Sequence, residues 1–293
     1  SVLGVDIGGS HITAALVDLN SRSMVPGSRR RKQVNSQGSV DEIIRDWAAV
    51  MEDAFGNTPK ELRKIGIAMP GPFDYEEGVS LIKEQNKFNA LYQMNVRNLL
   101  DERLGLESDR IRFMNDAAGF LQGEVFCGAG QNKDRVLGFT LGTGLGSAIC
   151  VKGVATDVGL WNSCFKEGIA EDYLSTRWFV QRYKELSGLS ISGVKELLEG
   201  NPSLVNQVFL EFGENLSLFL LPLIRKYNPG TVVFGGNISN AHDSFLSVVQ
   251  MHLAAAGVDV ALKSAQLNED ASLLGAASCW QRTVWPMPTG ATA

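Results

Sequence analysis

Two short glycine-rich segments of this sequence have residue types suited to holding phosphate. The first is Asp6-Ile7-Gly8-Gly9-Ser10-His11, directly after a strand-like segment. Glycines let the backbone approach a bulky anion, and successive N–H groups in such a turn can bind phosphate oxygens. The residues that we assign to a nucleotide site are Gly8, Gly9, Ser10, His11 and, on the next strand, Thr13. Asp6 is our candidate for Mg²⁺, directly or through water. The alternative is an ordinary hairpin turn.

The second segment is Leu141-Gly142-Thr143-Gly144-Leu145-Gly146. Gly142, Gly144 and Gly146 again leave backbone N–H groups unobstructed, and Thr143 adds a hydroxyl donor. A hairpin turn is the alternative here as well. Because there are two such turns, each between two strands and one in each half of the chain, we favour the binding of one polyphosphate by both.

A third glycine pair, Gly235-Gly236-Asn237, follows a buried strand and precedes a helix. Nucleosides bind at the carboxyl ends of strands in α/β proteins, so this segment is a candidate nucleoside site. The alternative is a helix-entry loop that is capped by Asn237 or Ser239.

Asn115-Asp116 also lies between a predicted strand and a predicted helix. A general base needs a carboxylate within hydrogen-bond reach of the hydroxyl that attacks, and Asp116 has the right chemistry. Asn115 is suited to fix a neighbouring hydroxyl. The alternative is a helix N-cap, since Asp is a good N-cap residue.

The elements around these motifs repeat. Residues 3–18 and residues 136–151 each form a strand, a glycine-rich turn and a strand. This repetition predicts two related α/β domains that face each other across a cleft, with ligands in the cleft. We place the domains at residues 1–115 and 116–270. A C-terminal helix at 271–285 returns to the first domain, and 286–293 form a disordered tail.

The remaining elements follow from periodicity, caps and turns. We predict strands at 64–69, 111–114, 232–234 and 258–262. The predicted helices span 39–55, 96–104, 116–126, 171–187, 190–199, 203–227, 239–256 and 271–281. Ser39 and Glu42 form a capping box at the start of the first helix, and Gly56 ends it.

Composition limits the classes of function. With 293 residues, of which 44% are hydrophobic and 20% charged, the chain is expected to form a globular protein of two domains. A net charge of −5 disfavours nucleic acid and membranes as partners. The four cysteines are scattered, which indicates a reducing compartment, and with no signal peptide in view we expect a cytoplasmic protein. The basic run at 29–32 is interpreted as a solvated turn or edge strand, with a polyanion patch as the alternative.

Five motifs resemble those of the ROK family, named for repressor, open reading frame and kinase. They are Asp6-Ile7-Gly8-Gly9-Ser10, Pro70-Gly71-Pro72, Asn115-Asp116-Ala117, Leu141-Gly142-Thr143-Gly144-Leu145-Gly146 and Phe234-Gly235-Gly236. They occur in the order and spacing of that family, and the resemblance covers residues 2–280. It implies an actin-like (ribonuclease H-like) ATPase fold with an inter-domain cleft, ATP and Mg²⁺ as cofactors, and phosphorylation of a hexose or N-acetylhexosamine. Members of the family typically form homodimers, so the resemblance also implies a homodimer.

The resemblance also implies roles for individual residues. Asp116 matches the family's catalytic base, and Asn115 and Asn86 match asparagines that bind the sugar. Gly71 and Pro72 belong to the loop that faces the sugar. Glu171 matches a glutamate that reaches back to it.

The sequence departs from the family at one place. Many members have Glu-X-Gly-His followed by a cysteine-rich zinc site, where the histidine contacts both sugar and zinc. The matching stretch is Asp157-Val158-Gly159-Leu160, which keeps a carboxylate for the sugar at Asp157 but has leucine for histidine. Cys164 alone stands where three cysteines are needed, so we predict no structural zinc.

The leading hypothesis is a sugar kinase in which Asp116 accepts the proton of the attacking hydroxyl. The changed stretch at 157–160 motivates an alternative, a sugar-binding sensor or regulator without useful catalysis. A scaffold role is the third. Repressor members carry a helix-turn-helix domain before the first phosphate strand, and we expect no DNA binding by that route here.

Overall fold

A computed structural model describes residues 1–281 of the chain. These residues form two compact units. One contains Ser1–Gly128 and the segment that begins at Glu269, and the other contains Ala129–Asn268. Each unit has its own hydrophobic core.

The strands are, in chain order, β1 (Val2–Ile7), β2 (His11–Asp18), β3 (Ser23–Met24), β4 (Arg30–Gln33), β5 (Ile65–Met69), β6 (Phe73–Asp74), β7 (Val79–Ser80), β8 (Ile111–Asn115), β9 (Arg135–Leu141), β10 (Leu145–Val151), β11 (Val154–Asp157), β12 (Cys164–Phe165), β13 (Gly168–Ile169), β14 (Thr231–Gly235) and β15 (Ala261–Ser264). The α-helices are α1 (Val40–Phe55), α2 (Val96–Leu104), α3 (Asp116–Cys127), α4 (Ala170–Leu174), α5 (Thr176–Ser187), α6 (Val194–Leu197), α7 (Pro202–Tyr227), α8 (Leu246–Ala255) and α9 (Ala271–Ser278).

The main sheets of the two units share one topology. In the first unit the order is β3-β2-β1-β5-β8, and β4 also pairs with β2; in the second it is β11-β10-β9-β14-β15. The central strand is antiparallel to the strand that follows it, at β1–β2 and at β9–β10. It is parallel to its other neighbour, at β1–β5 and at β9–β14. Both strand–turn–strand segments are therefore hairpins in equivalent places, as their repetition predicts.

Helix α1 is built as the sequence predicts. The Ser39 hydroxyl accepts a hydrogen bond from the Glu42 backbone N–H at 3.3 Å, and the Glu42 carboxylate accepts one from the Ser39 N–H at 2.8 Å. Gly56 forms the C-cap. Trp47 and Met51 are fully buried against the sheet. The cap and the apolar stripe together fix both ends of the helix and the face that it buries.

Several predicted elements of the second unit differ from the structure. The helix at 171–187 is interrupted at Ser175, because the Thr176 N–H donates at 2.7 Å to the Gly142 carbonyl instead of staying in a continuous helix. The helix at 190–199 shrinks to α6, which follows Gly193 in an extended conformation.

The predicted helix at 239–256 is a 3₁₀ helix, Asn237–Ser244, followed by α8. The predicted strand at 258–262 is β15, displaced toward the C-terminus where it pairs in parallel with β14.

Helix α3 belongs to the first unit, whereas the sequence-based boundary after residue 115 assigns it to the second. The reason is its backbone-to-backbone contact with α9. A Cβ atom on Gly275 would lie 1.9 Å from the Gly119 carbonyl oxygen, and one on Gly123 would lie 2.0 Å from that of Ala271. Helix α9 also packs on β1 and β5 and is followed by a 3₁₀ turn at Cys279–Gln281. The predicted continuation to 285 and the tail at 286–293 lie outside the described residues.

The basic run at 29–32 lies at and beside β4, whose one strand partner among residues 1–281 is β2, so the edge-strand interpretation is correct. Its cations are already paired with carboxylates: Arg29 with Asp270 at 3.2 Å, Arg30 with Asp53 at 2.8 Å, Lys32 with Asp46 at 3.3 Å, and Arg31 with Glu269. The pairing leaves little uncompensated positive charge for a polyanion.

Helix α7 is long and apolar enough to cross a membrane, by length and composition only. In the structure, 56% of its most apolar 18-residue window is buried inside the protein. Phe209, Phe212 and Leu216 pack in the core of the second unit. Buried core helices share this composition, so the helix is weak evidence for a membrane.

Candidate active site

The first glycine turn connects β1 to β2. The Gly8 N–H donates to the His11 carbonyl at 2.9 Å, and the Ser10 hydroxyl lies 2.9 Å from the His11 Nδ1 atom. Neither Gly8 nor Gly9 has a positive φ, and a Cβ atom on either would approach its nearest neighbour no closer than 3.6 Å. The hairpin itself therefore does not require glycine here, and the backbone is left open for a ligand.

Asp6 lies on β1 just before this turn, where it pairs with Thr13 on β2 and with Ala68 on β5. Burial, and next the negative charge of Asp116, raise the pKa of the Asp6 carboxyl to about 7; Arg31 acts in the opposite direction. The structure therefore brings Asp6 and Asp116 into electrostatic contact within the first unit. A cation bound there would relieve their repulsion.

Asn115, and not Asp116, is the N-cap of α3. Its side-chain oxygen accepts hydrogen bonds from Ala117 N–H at 2.9 Å and Ala118 N–H at 3.2 Å. Asp116 is the first helical residue, it is exposed, and one of its oxygens accepts from its neighbour, the Ala117 N–H, at 2.8 Å. The capping explanation for Asp116 is therefore wrong. Asn115 already caps the helix, so the Asp116 carboxylate is not needed for that purpose.

The Asp116 carboxyl is in a poorly hydrated environment although the residue keeps contact with solvent. Desolvation by the surrounding protein raises its pKa, while the Ala117 N–H and the positive charge of Lys87 lower it. A carboxylate with a raised pKa accepts a proton more readily, which is the property that a general base needs.

The loop after β5 places a tyrosine beside Asn115. The Tyr75 hydroxyl donates to the Met69 carbonyl at 3.1 Å and accepts from the Asn115 amide at 3.2 Å. A Cβ atom on Gly71 would lie 3.2 Å from the same hydroxyl. Gly71, Tyr75 and Asn115 are thus neighbours, and Gly71 precedes Pro72 through a cis peptide bond.

Asn86 lies further along that loop and is exposed with a positive φ of 54°. Its carbonyl oxygen accepts a hydrogen bond from the Gln37 side chain. This contact involves only the backbone of Asn86. Its side chain is exposed, and among residues 1–281 no hydrogen bond joins Asn86 to Asn115.

The second glycine turn connects β9 to β10 and is tied to α4. The Leu145 N–H donates to Glu171 at 3.0 Å, and Arg177 pairs with the other carboxylate oxygen of Glu171 at 3.2 Å. A Cβ atom on Gly144 would lie 2.9 Å from the Glu171 carboxylate, so this glycine makes room for it. Thr143 is exposed at the tip, and Gly146 pairs with Thr140.

The pair Gly235-Gly236 lies beside this second turn. Gly235 pairs with Thr140, and Gly236 has a φ of 83°. A Cβ atom on Gly236 would lie 2.3 Å from the Leu141 carbonyl oxygen, so the fold itself requires glycine here. No side chain caps the 3₁₀ helix that begins at Asn237, and the Ser239 hydroxyl instead donates to the Gly236 carbonyl at 2.7 Å. The capping alternative is therefore wrong.

Asp157 ends β11, is exposed, and accepts a hydrogen bond from the Gly159 N–H at 3.0 Å. Leu160, at the histidine position of the family motif, packs against the core of the second unit. Its N–H donates to the Ser147 hydroxyl at 2.9 Å. The leucine therefore has a packing role of its own. It supplies no imidazole at the position where the family motif has a histidine.

The metal chemistry of the described residues is limited. They include no group of three or more His, Cys, Asp or Glu side chains that could hold a metal ion, and Cys164 is exposed on β12. A Mg²⁺ ion needs fewer protein ligands, because it keeps several waters and binds through one or two carboxylates together with substrate phosphates. Asp6, half-buried beside the open turn and repelled by Asp116, fits such an ion.

Comparison with known proteins gives the family. The model of the ROK family matches residues 2–283. The chain belongs to the ROK family. Its two units, each with a mixed sheet and helices, have the actin-like fold that the sequence motifs imply.

Among the relatives, a glucokinase from Thermotoga maritima is 25% identical over 94% of this chain and 96% of its own length. A xylose repressor from Bacillus subtilis is 22% identical and is matched over 94% of this chain and 76% of its own length. Among solved structures, a ROK family glucokinase from Streptomyces griseus, in complex with glucose and AMPPNP, aligns with a TM-score of 0.72 at 24% identity, over 95% of this chain and 98% of its own. The family thus includes sugar kinases and regulators.

Sequence reasoning missed three residues near these motifs: Tyr75, Lys87 and Arg177. Tyr75 and Lys87 owe their places to contacts between distant segments, with Asn115 and with the turn at Gly9, whereas Arg177 pairs with Glu171 on the preceding helix. Lys87 and Arg177 each carried a local signal, because Lys87 follows Asn86 directly and Arg177 lies shortly after Glu171.

Proposed function

We propose that this protein transfers the γ-phosphoryl group of ATP to a hydroxyl of a hexose or N-acetylhexosamine. One observation carries the proposal: Asn115 caps α3, so the Asp116 carboxylate is not needed as a cap, and this carboxyl has a raised pKa and acts electrostatically on Asp6, which precedes the open glycine turn. The relationship to sugar kinases supports the reaction class, and the bound glucose and AMPPNP of the Streptomyces griseus enzyme accord with both substrates.

In this reaction Asp116 is the general base. It removes the proton from a sugar hydroxyl as that oxygen forms a bond to the γ-phosphorus, and the bond between the γ-phosphorus and the bridging oxygen of ADP breaks. The N–H groups of the glycine turns donate to phosphate oxygens as negative charge develops. Asp6 is the residue that would hold Mg²⁺, which when bound neutralises charge on the phosphates.

Sugar binding is assigned to side chains in both units. In the first unit these are Asn86 and the remaining amide N–H of Asn115, with Gly71 and Pro72 forming the loop. In the second they are Asp157 and Glu171. The nucleotide is assigned to Gly8, Gly9, Ser10, His11 and Thr13, and to Gly142, Thr143, Gly144, Gly146, Gly235, Gly236 and Asn237.

The proposal is tested by ADP release from ATP and Mg²⁺ against a panel of hexoses and N-acetylhexosamines. Asp116→Asn keeps the size of the side chain and removes its basicity, so sugar-dependent turnover should fall at least about 100-fold. Asp243→Asn, a change of the same kind at a residue whose side chain is 96% exposed, is the matched control and should retain turnover. Equal rates in both variants would exclude Asp116 as the base.

A sensor or regulator is the second candidate function. It is motivated by Leu160, which replaces a sugar-contacting histidine of the family, and by the relationship to a repressor. This candidate predicts that one sugar of the panel raises the Tm while none gives turnover. Cytoplasmic location and a homodimer remain predictions.

A further inference from the structure

The loop that carries Lys87 is fixed on both sides of that residue. Phe88 is fully buried and packs edge-on against Trp47, with the ring centroids 5.2 Å apart. The Phe88 N–H donates to the Ser36 carbonyl at 2.7 Å, and the Asn86 carbonyl accepts from Gln37. Because both neighbours are attached to the segment at 36–37, the backbone of Lys87 has a defined position.

The side chain of Lys87 extends over the first glycine turn toward Asp116. Its Cδ atom lies 3.6 Å from the place of a Cβ atom on Gly9, and it is the nearest atom to that place. Its ammonium is close enough to Asp116 to lower the pKa of that carboxyl. A partly buried cation therefore lies between the proposed phosphate turn and the proposed base.

Lys87 differs from the other cations nearby. Arg31, which acts on Asp6, is already paired with Glu269, and Lys83 on the same loop pairs with Glu84 at 3.7 Å. Among residues 1–281, no carboxylate forms an ion pair with Lys87. Its charge is thus available to a ligand, and a lysine is well suited to bind phosphate as a point charge.

We propose that Lys87 is a further catalytic residue, whose ammonium contacts the phosphoryl group during its transfer to the sugar. The inference rests on the proposed function. As the sugar oxygen bonds to phosphorus, ADP departs and the hydroxyl proton passes to Asp116, while Lys87 keeps its own protons and stabilises charge on the non-bridging oxygens. The family resemblance assigns no role to this position.

The experiment compares wild type with Lys87→Met, Lys87→Arg and Lys83→Met. Methionine keeps the apolar stem over Gly9 without the charge, and arginine keeps a charge. Lys83→Met makes the same change on the same loop, at a side chain that is 61% exposed. The measurements are kcat and KM from ADP release, affinity for AMPPNP and for ADP by calorimetry, and Tm.

We expect Lys87→Met to lower kcat about 100-fold, with the KM for sugar nearly unchanged. It should weaken AMPPNP binding more than ADP binding, because only the former presents a third phosphate. Lys87→Arg should recover part of both losses, and Lys83→Met should behave as wild type. A residue that merely supported the loop would change Tm and would not discriminate AMPPNP from ADP.

The outcomes separate the two proposals. If wild type transfers phosphate and Lys87→Met matches Lys83→Met in kcat and in both affinities, the inference is overturned and the kinase stands. If Lys87→Met loses ADP and AMPPNP binding equally together with a lower Tm, the role is structural and the inference is again overturned. If wild type shows no turnover with any sugar, the proposed function falls and the inference falls with it.

Discussion

Glu171 accepts a hydrogen bond from the backbone N–H of Leu145 at 3.0 Å. A carboxylate assigned to the sugar is therefore attached to a turn assigned to phosphate, within one unit. Arg177 holds the other carboxylate oxygen at 3.2 Å. Under the proposed function, Glu171 would therefore couple the sugar site to the phosphate site through a single side chain.

The coupling can be tested by adding one methyl group. In Gly144→Ala the new Cβ would lie 2.9 Å from the Glu171 carboxylate, which would have to move. We expect the KM for sugar to rise about tenfold, the size expected for one lost hydrogen bond to a charged group. Steady-state kinetics with the sugar identified in the panel would measure it.

Gly142→Ala is the matched variant for that test. A Cβ at Gly142 meets no atom within 4 Å, so Glu171 should stay in place. The KM for sugar should remain as in wild type, and only the KM for ATP should rise. An equal KM for sugar in both alanine variants would show that Glu171 does not connect the turn to the sugar.

The raised pKa of Asp116 predicts the acid limb of the pH–rate profile. Only the ionised carboxylate accepts a proton, so kcat/KM should fall as pH decreases through that pKa. Because desolvation raises the pKa, the midpoint should lie above the ordinary value of about 4. The profile should be recorded beside the Tm at each pH, to exclude unfolding. A midpoint at or below about 4 with the protein folded would contradict the assignment.

The Asp101 carboxyl makes the free energy of unfolding depend on pH. It is buried on α2, and neither carboxylate oxygen has a hydrogen-bond partner within the described part of the chain. Desolvation raises its pKa to about 6, Arg97 lowers it, and Asp109 raises it. The folded state therefore binds more protons than the unfolded state between about pH 4 and this value, and stability decreases as pH rises through the window.

Asp101→Asn removes that charge at nearly constant shape. At pH 8 the variant should melt a few degrees above wild type, and the difference should shrink as pH approaches about 4. Thermal melts at several pH values would measure it. A difference in Tm that is constant with pH would show that the carboxylate is not the cause.

Gly275 tests the contact between α9 and α3. A Cβ atom there would lie 1.9 Å from the Gly119 carbonyl oxygen, and a backbone atom cannot move aside as a side chain can. Gly275→Ala should lower the free energy of unfolding by about 3 kcal/mol. Denaturant melts of Gly275→Ala should be compared with those of Gly142→Ala, which adds the same methyl group in open space. Equal midpoints would disprove the close approach of α9 to α3.

Elements with local determinants were predicted well. Helix α1 has its capping box, its apolar stripe and its terminal glycine within one stretch of sequence, and the β1–β2 and β9–β10 hairpins carry their turns between their strands. The interruption at Ser175 depends on a bond from Thr176 to Gly142, which is remote in sequence. No local pattern signals such a bond.

In the candidate site, too, the sequence predicts what local motifs determine and misses what tertiary contacts determine. The motifs predicted Asp6, Asp116 and the glycine turns as site residues, which stays a prediction, and the sequence left open whether Asp116 was only a helix cap. The hydrogen bonds of Asn115 answer that question, and they are visible only in three dimensions. Lys87 reaches Gly9 across a separation of many residues, so only tertiary structure relates it to the turn.

The position of α9 has a consequence for biosynthesis. The segment that begins at Glu269 supplies a helix whose backbone lies directly on α3 and on the sheet of the first unit. On the ribosome, residues 1–128 emerge long before that helix is made. The apolar surface that α9 covers therefore stays exposed until the whole second unit has been synthesised. The first unit can therefore complete its core only after α9 has been synthesised, and not when residue 128 emerges.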